Sequence, residues 1–305
     1  MHPAISVIFF TVTSGAGFGF LALIGLGVPL PEGGVGAFVA ALIAGGLAVA
    51  GLISSTFHLG HPERAWRAFS QWQSSWLSRE GVCAVITLTL FGFYALSWVF
   101  FDNRIGWLGL LISIGSAATV FTTAMIYAQL KTVPNWNTML TPLCYLLFAL
   151  ASGVLLAASF GYWQESGGLA TKLIAVFVVA VAWGAKLLWW QAAGGNTLAS
   201  RGSSPETATG LGFIGKVRLL EKPHSGENYL TKEMVHQVGR KHANKLRLIA
   251  LVLGAAIPLG LGLLVLAAGL PLHLLALAFV SLIAGLFVER WLFFAEAKHA
   301  VSLYY

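Results

Sequence analysis

Seven polar side chains that could carry chemistry are concentrated in one short stretch of an otherwise apolar chain, residues 58–80. They are His58, His61, Glu63, Arg64, Arg67, Arg79 and Glu80. Histidine exchanges protons near neutral pH, a carboxylate can take part in the same exchange, and arginine donates hydrogen bonds to oxygen atoms. These groups match the needs of quinone chemistry, in which two carbonyl oxygens are hydrogen-bonded and protonated.

Within this stretch, His58 is the candidate proton donor or acceptor for a quinone head group, and Glu80 is its companion in proton exchange. His58 ends one predicted helix and Glu80 begins the next, so a short connection can bring both to one pocket. The alternative is structural, because arginine and tryptophan anchor helices at the membrane interface and a carboxylate can complement a helix N-terminus. Four tryptophans are expected in an interface belt, although one or two could wall a quinone ring: Trp66, Trp72, Trp76 and Trp136.

The rest of the chain has the composition of a membrane protein. Of its 305 residues, 57% are hydrophobic and 10% are charged. Soluble domains carry about 25% charged residues, so most of this chain is expected to lie in lipid. The first apolar stretch lacks a basic start and is too long for the core of a secretion signal. It is therefore interpreted as a retained first helix.

Eight segments have the length and composition of transmembrane helices. The predicted spans are 5–28, 35–57, 79–101, 105–128, 139–162, 169–193, 245–268 and 271–295. Backbone groups in lipid must be satisfied within their own segment, and the segments lack the alternating hydrophobicity of barrel strands. We predict an all-α bundle of eight helices that forms one integral membrane domain over residues 1–305. Two connections are long, 58–78 and 194–244.

The basic residues lie almost entirely on one side of the predicted bundle. Both termini, the loop 129–138 and the two long loops share a side that holds sixteen of the eighteen lysines and arginines, leaving Arg104 and Lys172 opposite. The positive-inside rule places this side, with both termini, in the cytoplasm. We expect a multi-pass protein of a bacterial inner membrane whose soluble partners dock on loops 58–78 and 194–244. The topology accounts for the basic charge, so no nucleic-acid partner is predicted.

The sequence predicts no redox centre held by this chain itself. A haem b needs two facing histidines within the membrane, and none of the eight histidines lies in the middle of a predicted span. Cys83 and Cys144 fall in separate predicted helices and form neither a disulfide framework nor a metal set. We therefore expect no haem and no metal site, and we place the redox centres in partner subunits.

Two functions of other classes explain the sequence less well. A transporter would carry ionisable residues near mid-membrane or broken helices. Lys186, Glu289 and Arg290 instead lie about two turns from the predicted helix ends. A purely structural anchor would leave the polar groups of residues 58–80 unexplained.

The chain resembles the anchor subunit of dimethyl sulfoxide reductase and its relatives, within a wider group of quinone-reactive membrane subunits that includes polysulfide reductase. The motifs are His58-Leu59-Gly60-x-Pro62-x-Arg64-Ala65, Leu77-Ser78-x-Glu80, Thr132-Val133-Pro134-x-Trp136, Thr141-Pro142, and Arg290 followed by aromatic residues. Together with the eight spans, the resemblance covers nearly the whole chain.

This resemblance implies a complex in which a molybdopterin catalytic subunit passes electrons through a subunit with four iron–sulfur clusters. The anchor holds both at the membrane and supplies the quinone site, with no catalytic activity expected from the isolated chain. The resemblance places His58 and Glu80 in the quinone site and has Arg64 contact the head group or the iron–sulfur partner. Further candidates are His61, Trp66, Arg67, Arg79 and Arg290.

Two features depart from the enteric dimethyl sulfoxide reductase anchor: the long basic loop 194–244, and the charge pattern that puts the motif side in the cytoplasm. An anchor of this family with a cytoplasmic catalytic face resembles the membrane subunit of cytoplasmic sulfite dehydrogenase. The implied reaction oxidises sulfite to sulfate and delivers electrons to ubiquinone or menaquinone. The alternative is the anchor of a dimethyl sulfoxide or related reductase that oxidises menaquinol.

Overall fold

Eight long helices make up most of the part of the chain that the structure describes, and the predicted all-α fold is confirmed. The computed structural model describes residues 4–28, 30–58, 61–160, 163–221 and 242–303, and these ranges contain no β-strand. Each of the eight helices is long and apolar enough to cross a membrane. They are α1 (Ile5–Gly25), α2 (Gly34–Ser54), α3 (Trp76–Phe101), α4 (Gly106–Ala128), α5 (Leu140–Ser159), α6 (Trp163–Gly195), α7 (Ala243–Ala267) and α8 (Leu275–Ala295).

The connection between α2 and α3 is more ordered than the predicted loop 58–78. A 3-10 turn, Ser55–His58, continues α2, and a second 3-10 helix covers Pro62–Phe69. Proline suits the first position of a helix because its missing N–H would have no partner there. α3 then begins at Trp76, which places Glu80 in its second turn.

One end of the bundle carries the long connections, and we call it the loop end. There Ser54 Oγ donates a hydrogen bond to the carbonyl of Ser6 at 3.0 Å, which ties the end of α2 to the start of α1. Arg201, in the described part of the second long loop, donates to the carbonyl of Asn137 at 3.1 Å. This loop includes a one-turn helix, Pro205–Thr209.

The opposite end is closed by Arg104. Its guanidinium donates hydrogen bonds to the carbonyls of Val28, Leu30 and Pro31 and lies 4.7 Å from the ring centroid of Trp98. These carbonyls lie in the connection between α1 and α2, where no helical N–H is available to them. Arg104 therefore stabilises a loop at this end and is not free to bind a ligand.

Helix α1 runs through the centre of the first five helices and packs through glycine. A methyl group built on Gly19 would overlap the carbonyl of Ala149 on α5, and one on Gly17 would overlap the backbone of Ala48 on α2. Both glycines therefore pack closely, because small residues let membrane helices approach. Gly15 differs, since its Cβ position faces open space.

Helix α7 contains one turn of π-helix, Val252–Ala256. There the backbone of Gly254 meets Gly285 of α8, and a methyl group on Gly254 would overlap the ring of Trp183 on α6. Such bulges are rare and often lie beside functional groups. Gly285 lies one turn before Glu289, so this close packing surrounds the buried charges described below.

Candidate functional site

Glu80 is one of two predicted site residues, with Arg290, that are buried in the bundle. Its side chain points from α3 towards α4, and the residue is 4% exposed. Its Oε1 atom lies 2.5 Å from Oγ1 of Thr123 on α4. A carboxyl group buried in a membrane helix is costly and usually serves a function. The position of Glu80 is therefore more than the helix-terminus complement that the sequence left as an alternative.

Thr123 allows Glu80 to be hydrogen-bonded whether it is ionised or protonated. The Thr123 hydroxyl carries one proton and also lies 2.9 Å from the carbonyl of Thr119. When Glu80 is ionised, Thr123 donates to the carboxylate. When Glu80 is protonated, it can donate to Thr123, which then donates to Thr119. Loss or gain of a proton therefore leaves no buried group without a partner, which suits a proton-exchanging residue.

A small polar cavity adjoins Thr123 on the side of α1, α5 and α8. Its accessible volume is about 20 Å³, enough for one water molecule. The polar residues that line it are Thr11, Ser14, Thr123, Tyr145, Ser152 and Arg290. Since Thr123 touches Glu80, the cavity brings Glu80 and Arg290, two predicted site residues, to one buried polar region.

Arg290 belongs to a cluster of three buried charges near the loop end. Glu289 forms ion pairs with both partners: Lys186 Nζ lies 2.5 Å from its Oε1, and Arg290 Nε lies 3.0 Å from its Oε2. The three side chains are at most 5% exposed. Two cations share one carboxylate, so the fully ionised cluster has one positive charge in excess.

The other candidates of the first motif lie outside this buried region. On the 3-10 helix, Arg64 is exposed, and the exposed His61 pairs with Glu63 at 2.9 Å. The guanidinium of Arg67 lies 5.6 Å from the ring of Trp66, which is itself exposed. The structure therefore presents these residues at the surface of the loop end, whereas Glu80 is buried.

Arg79 has a structural role at the start of α3. Its Nε donates to the carbonyl of Trp72 at 3.0 Å and its Nη2 to that of Gln73 at 2.6 Å, while the guanidinium stacks on Trp76 at 4.4 Å. These contacts hold the turn that leads into α3. Arg79 thus orients the helix that carries Glu80 and does not reach the carboxyl group.

His58 is placed through its backbone alone, at the end of the 3-10 turn that continues α2. Its side chain, together with Leu59 and Gly60 of the motif, lies outside the described residues. The role of His58 therefore stays a prediction. The basic residues of 222–241 in the second long loop also lie outside the described residues.

Comparison with known proteins identifies the family. The model of the DMSO reductase anchor subunit family matches residues 1–295. A sulfite dehydrogenase subunit of Allochromatium vinosum is 35% identical in an alignment that covers 100% of this chain and 99% of the relative. The anaerobic dimethyl sulfoxide reductase chain YnfH of Escherichia coli is 32% identical over 36% of this chain and 39% of its own length. No solved structure gives a significant match.

The chain belongs to the DMSO reductase anchor subunit family. It is a multi-pass membrane protein and the anchor subunit of an oxidoreductase complex of the dimethyl sulfoxide reductase or sulfite dehydrogenase type. The predicted family resemblance is thereby confirmed.

In this anchor subunit, the motifs Thr132-Val133-Pro134-x-Trp136 and Thr141-Pro142 lie beside the buried charges. Trp136, 2% exposed, donates from Nε1 to the carbonyl of Phe293 on α8 at 2.9 Å. Thr141 donates to the carbonyl of Trp136 at 2.8 Å and accepts from Trp189 of α6 at 3.0 Å. These hydrogen bonds tie α5, α6 and α8 together beside the charged cluster. Trp136 is therefore buried among these helices and does not belong to an interface belt.

Sequence reasoning missed Lys186 and Glu289 as site residues of the anchor subunit. Each is a charged residue inside a strongly apolar span, which is the signal that could have found them. Their distance from the mid-membrane was used against a transporter, and their mutual pairing across α6 and α8 could not be seen in the sequence.

Proposed function

We propose that this anchor subunit reduces quinone with electrons that an iron–sulfur partner receives from a catalytic subunit oxidising sulfite to sulfate. Each quinone takes up two electrons and two protons to form the quinol. The anchor contributes the binding site at the loop end and the groups that supply protons. The observation that carries this proposal is Glu80, a buried carboxyl group whose hydrogen bonds are satisfied in both protonation states.

The position of Glu80 suits a lipid-soluble substrate. It lies in the second turn of α3, so a head group entering from the bilayer near the loop end needs to travel only about one turn inward. His58 ends the turn after α2 at the same end of the bundle. The two residues can thus serve one quinone head group, with His58 as the direct proton donor and Glu80 as its source of protons. In this arrangement Arg64, at the surface of the loop end, contacts the partner subunit.

Sulfite is the proposed electron donor because of the extent of the similarity. The sulfite dehydrogenase relative aligns with the whole chain, whereas the dimethyl sulfoxide reductase relative aligns with 36% of it. The second relative therefore supports the family and does not favour a reductase over a sulfite dehydrogenase.

The proposed partner surface is the loop end. It combines the exposed basic 3-10 helix Pro62–Phe69 with the described part of the second long loop, where Phe213, Ile214 and Leu220 are 86%, 72% and 88% exposed. Apolar side chains this exposed outside the spanning helices indicate an interaction surface. We assign it to the iron–sulfur subunit, which must approach the quinone site closely for electron transfer.

We expect the loop end to face the cytoplasm, because sixteen of the eighteen lysines and arginines lie on that side of the predicted topology. A fluorescent reporter that folds only in the cytoplasm should be active when fused after Tyr305 and inactive when inserted after Asp102. Activity at Asp102 and none at Tyr305 would contradict the cytoplasmic placement and the sulfite assignment with it.

Replacing Glu80 with glutamine tests the role of this residue in quinone reduction. The amide oxygen can still accept from Thr123, so the complex should assemble. We expect sulfite-dependent reduction of a short-chain quinone to fall about tenfold, because proton transfer by a positioned group contributes at least that much. Sulfite oxidation by an artificial soluble acceptor should be unchanged, since that acceptor bypasses the anchor.

The matched control is Glu32→Gln, which neutralises an exposed carboxylate at the opposite end. It should leave both activities as they are in the wild type. An assembled Glu80→Gln complex that reduces quinone within about twofold of the wild-type rate would contradict the assignment of Glu80, given the usual size of such effects.

A further inference from the structure

Polar groups continue past the proposed quinone site and cross the bundle to a second opening at the loop end. From Glu80 the series runs through Thr123 and the small cavity to Arg290, and from there to Glu289 and Lys186. None of the groups beyond Thr123 is needed to bind a quinone at the 58–80 motif. Burying a row of polar groups in a membrane costs free energy, and such groups usually serve a function.

We propose that Lys186 is a proton relay, which carries protons from the loop-end pocket beside Glu296 towards the cavity next to Thr123 and Glu80. This inference rests on the proposed function, because it explains how Glu80, the proposed source of protons for His58, is reprotonated during quinone reduction. Lys186 is a relay residue and does not touch the quinone.

The charges of the cluster single out Lys186 as the exchanging group. Arginine does not lose its proton in proteins, so Arg290 remains a cation. Glu289 is held between two cations, which favours its ionised form. When Lys186 gives up a proton, an ion pair of zero net charge remains. The cluster therefore has two protonation states, and neither leaves Glu289 without a cation beside it.

The inner connection leads from the cluster to Glu80. Lys186 can pass a proton to Oε1 of Glu289, 2.5 Å away, and Glu289 holds it only in transit before it returns to its ionised form. Arg290 keeps its own proton, pairs with the other oxygen of Glu289 and lines the cavity together with Thr123. The cavity is lined in part by polar side chains and has room for one water molecule, which can carry the proton from the cluster to the Thr123 hydroxyl and Glu80.

The outer connection leads from Lys186 to the loop end. A pocket of about 240 Å³ there is lined by Asn135, Arg247 and Glu296, among others. Glu296 follows Glu289 by seven residues, which places it on the same face of the helix about 10 Å nearer the loop end. Burial raises the pKa of the Glu296 carboxyl, although Arg247, 2.8 Å away, lowers it in turn. Glu296 can thus exchange protons with water at the loop end.

The ring of Trp190 lies between Lys186 and Arg247, which lines the loop-end pocket. Its ring centroid lies 5.3 Å from Lys186 Nζ and 5.4 Å from Arg247 Cζ. Its indole N–H is buried and has no hydrogen-bond partner among the described residues. A water molecule between the pocket and Lys186 would satisfy this N–H. The titratable or charged groups that interact with Lys186 are Cys144 on α5, Glu289 and Arg290 on α8, and Glu296.

Two substitutions of Lys186 separate a relay from a structural cation. Lys186→Arg keeps the positive charge beside Glu289 but cannot release a proton. Lys186→Met removes both the positive charge and the transferable proton. In the assembled complex, a relay predicts that both variants lower quinone-coupled turnover about tenfold or more. It also predicts a larger solvent deuterium isotope effect and partial rescue by added formate or azide. Oxidation of sulfite by a soluble acceptor should stay at the wild-type rate.

The control is Lys172→Arg together with Lys172→Met at the other end of α6, which should leave turnover and isotope effect unchanged. A structural cation predicts instead that Lys186→Arg behaves as wild type, and this result would overturn the relay. A wild-type complex that reduces no quinone would refute the proposed function itself, which distinguishes the two failures.

Two milder variants decide the matter if Lys186→Arg does not assemble. Ser152→Val fills the cavity with methyl groups, whereas Ser152→Ala leaves it open; the relay predicts that only the first slows quinone reduction. Glu296→Gln should lower the rate most at high pH, where protons are scarce, while Glu221→Gln, at an exposed carboxylate, should not. Wild-type rates and pH profiles in Ser152→Val and Glu296→Gln would refute the path.

Discussion

Replacing His58 with leucine is expected to lower sulfite-dependent quinone reduction by about 100-fold or more, the contribution usual for a residue that transfers protons directly. Leucine is similar in size and apolar, so it is compatible with a position at the end of a membrane span, but it cannot protonate a carbonyl oxygen. The complex should assemble, and its oxidation of sulfite by an artificial soluble acceptor should remain at the wild-type rate.

The loss should be larger for His58→Leu than for Glu80→Gln. His58 is proposed to act on the head group itself, whereas water can partly replace Glu80 as the source of the proton. Both variants can be measured in one series, as rates of short-chain quinone reduction by membranes that contain equal amounts of complex. Adding imidazole should restore part of the activity of His58→Leu, because it supplies the missing proton donor.

His273→Leu is the matched control, since His273 is an exposed histidine at the opposite end of the bundle. It should leave quinone reduction unchanged. A His58→Leu complex with quinone reduction within about twofold of wild type would show that this histidine is not the proton-transfer group.

The eight helices could be predicted from the sequence because lipid imposes a simple condition on each of them. A span must be about 20 residues long and almost free of charge, and charge and proline mark its ends. The α3 span illustrates the remaining error: it was predicted from residue 79 but begins at Trp76. Trp76 and Arg79 have an apolar body and a polar tip, so both fit the membrane interface as well as the first turn of a helix. The first residue of such a helix is therefore ambiguous in the sequence.

The site could be predicted only in part. Glu80 was found because it follows the motif in sequence, and Arg290 was found through the family resemblance. Lys186 and Glu289 were missed because their meaning depends on contact: α6 and α8 are about 100 residues apart in sequence and meet only through the packing of the bundle. Arg64 and Glu80 lie in neighbouring motifs of the sequence, but the structure exposes Arg64 and buries Glu80, a difference that the motifs alone do not predict.

Replacing Glu289 with leucine is expected to prevent the anchor from folding, and this is the largest stability effect that the structure predicts. The change leaves Lys186 and Arg290 buried within the membrane without an anion between them. Removing one partner of a buried ion pair typically costs about 3–5 kcal/mol, and here two cations lose the same partner and repel each other. No described carboxylate other than Glu289 lies within ion-pair distance of Lys186 or Arg290.

Lys186→Met should be far less damaging, although it also breaks the cluster. The Glu289–Arg290 pair that remains has no net charge and keeps its 3.0 Å contact. The unbranched methionine side chain can fill the space of the lysine stem beside Trp189. Glu289→Asp keeps the charge and serves as the control for the loss of the longer side chain.

The measurement is the fraction of anchor that remains monodisperse after extraction in mild detergent, followed with a fluorescent tag on size-exclusion chromatography. The midpoint of thermal unfolding of the anchor should be lower in Lys186→Met and in Glu289→Asp than in the wild type, with little folded Glu289→Leu at any temperature. Because the cluster is one positive charge in excess, removing the anion must cost more than removing a cation. Equal stability of Lys186→Met and Glu289→Leu would show that the buried charges do not determine how α6 and α8 are held together.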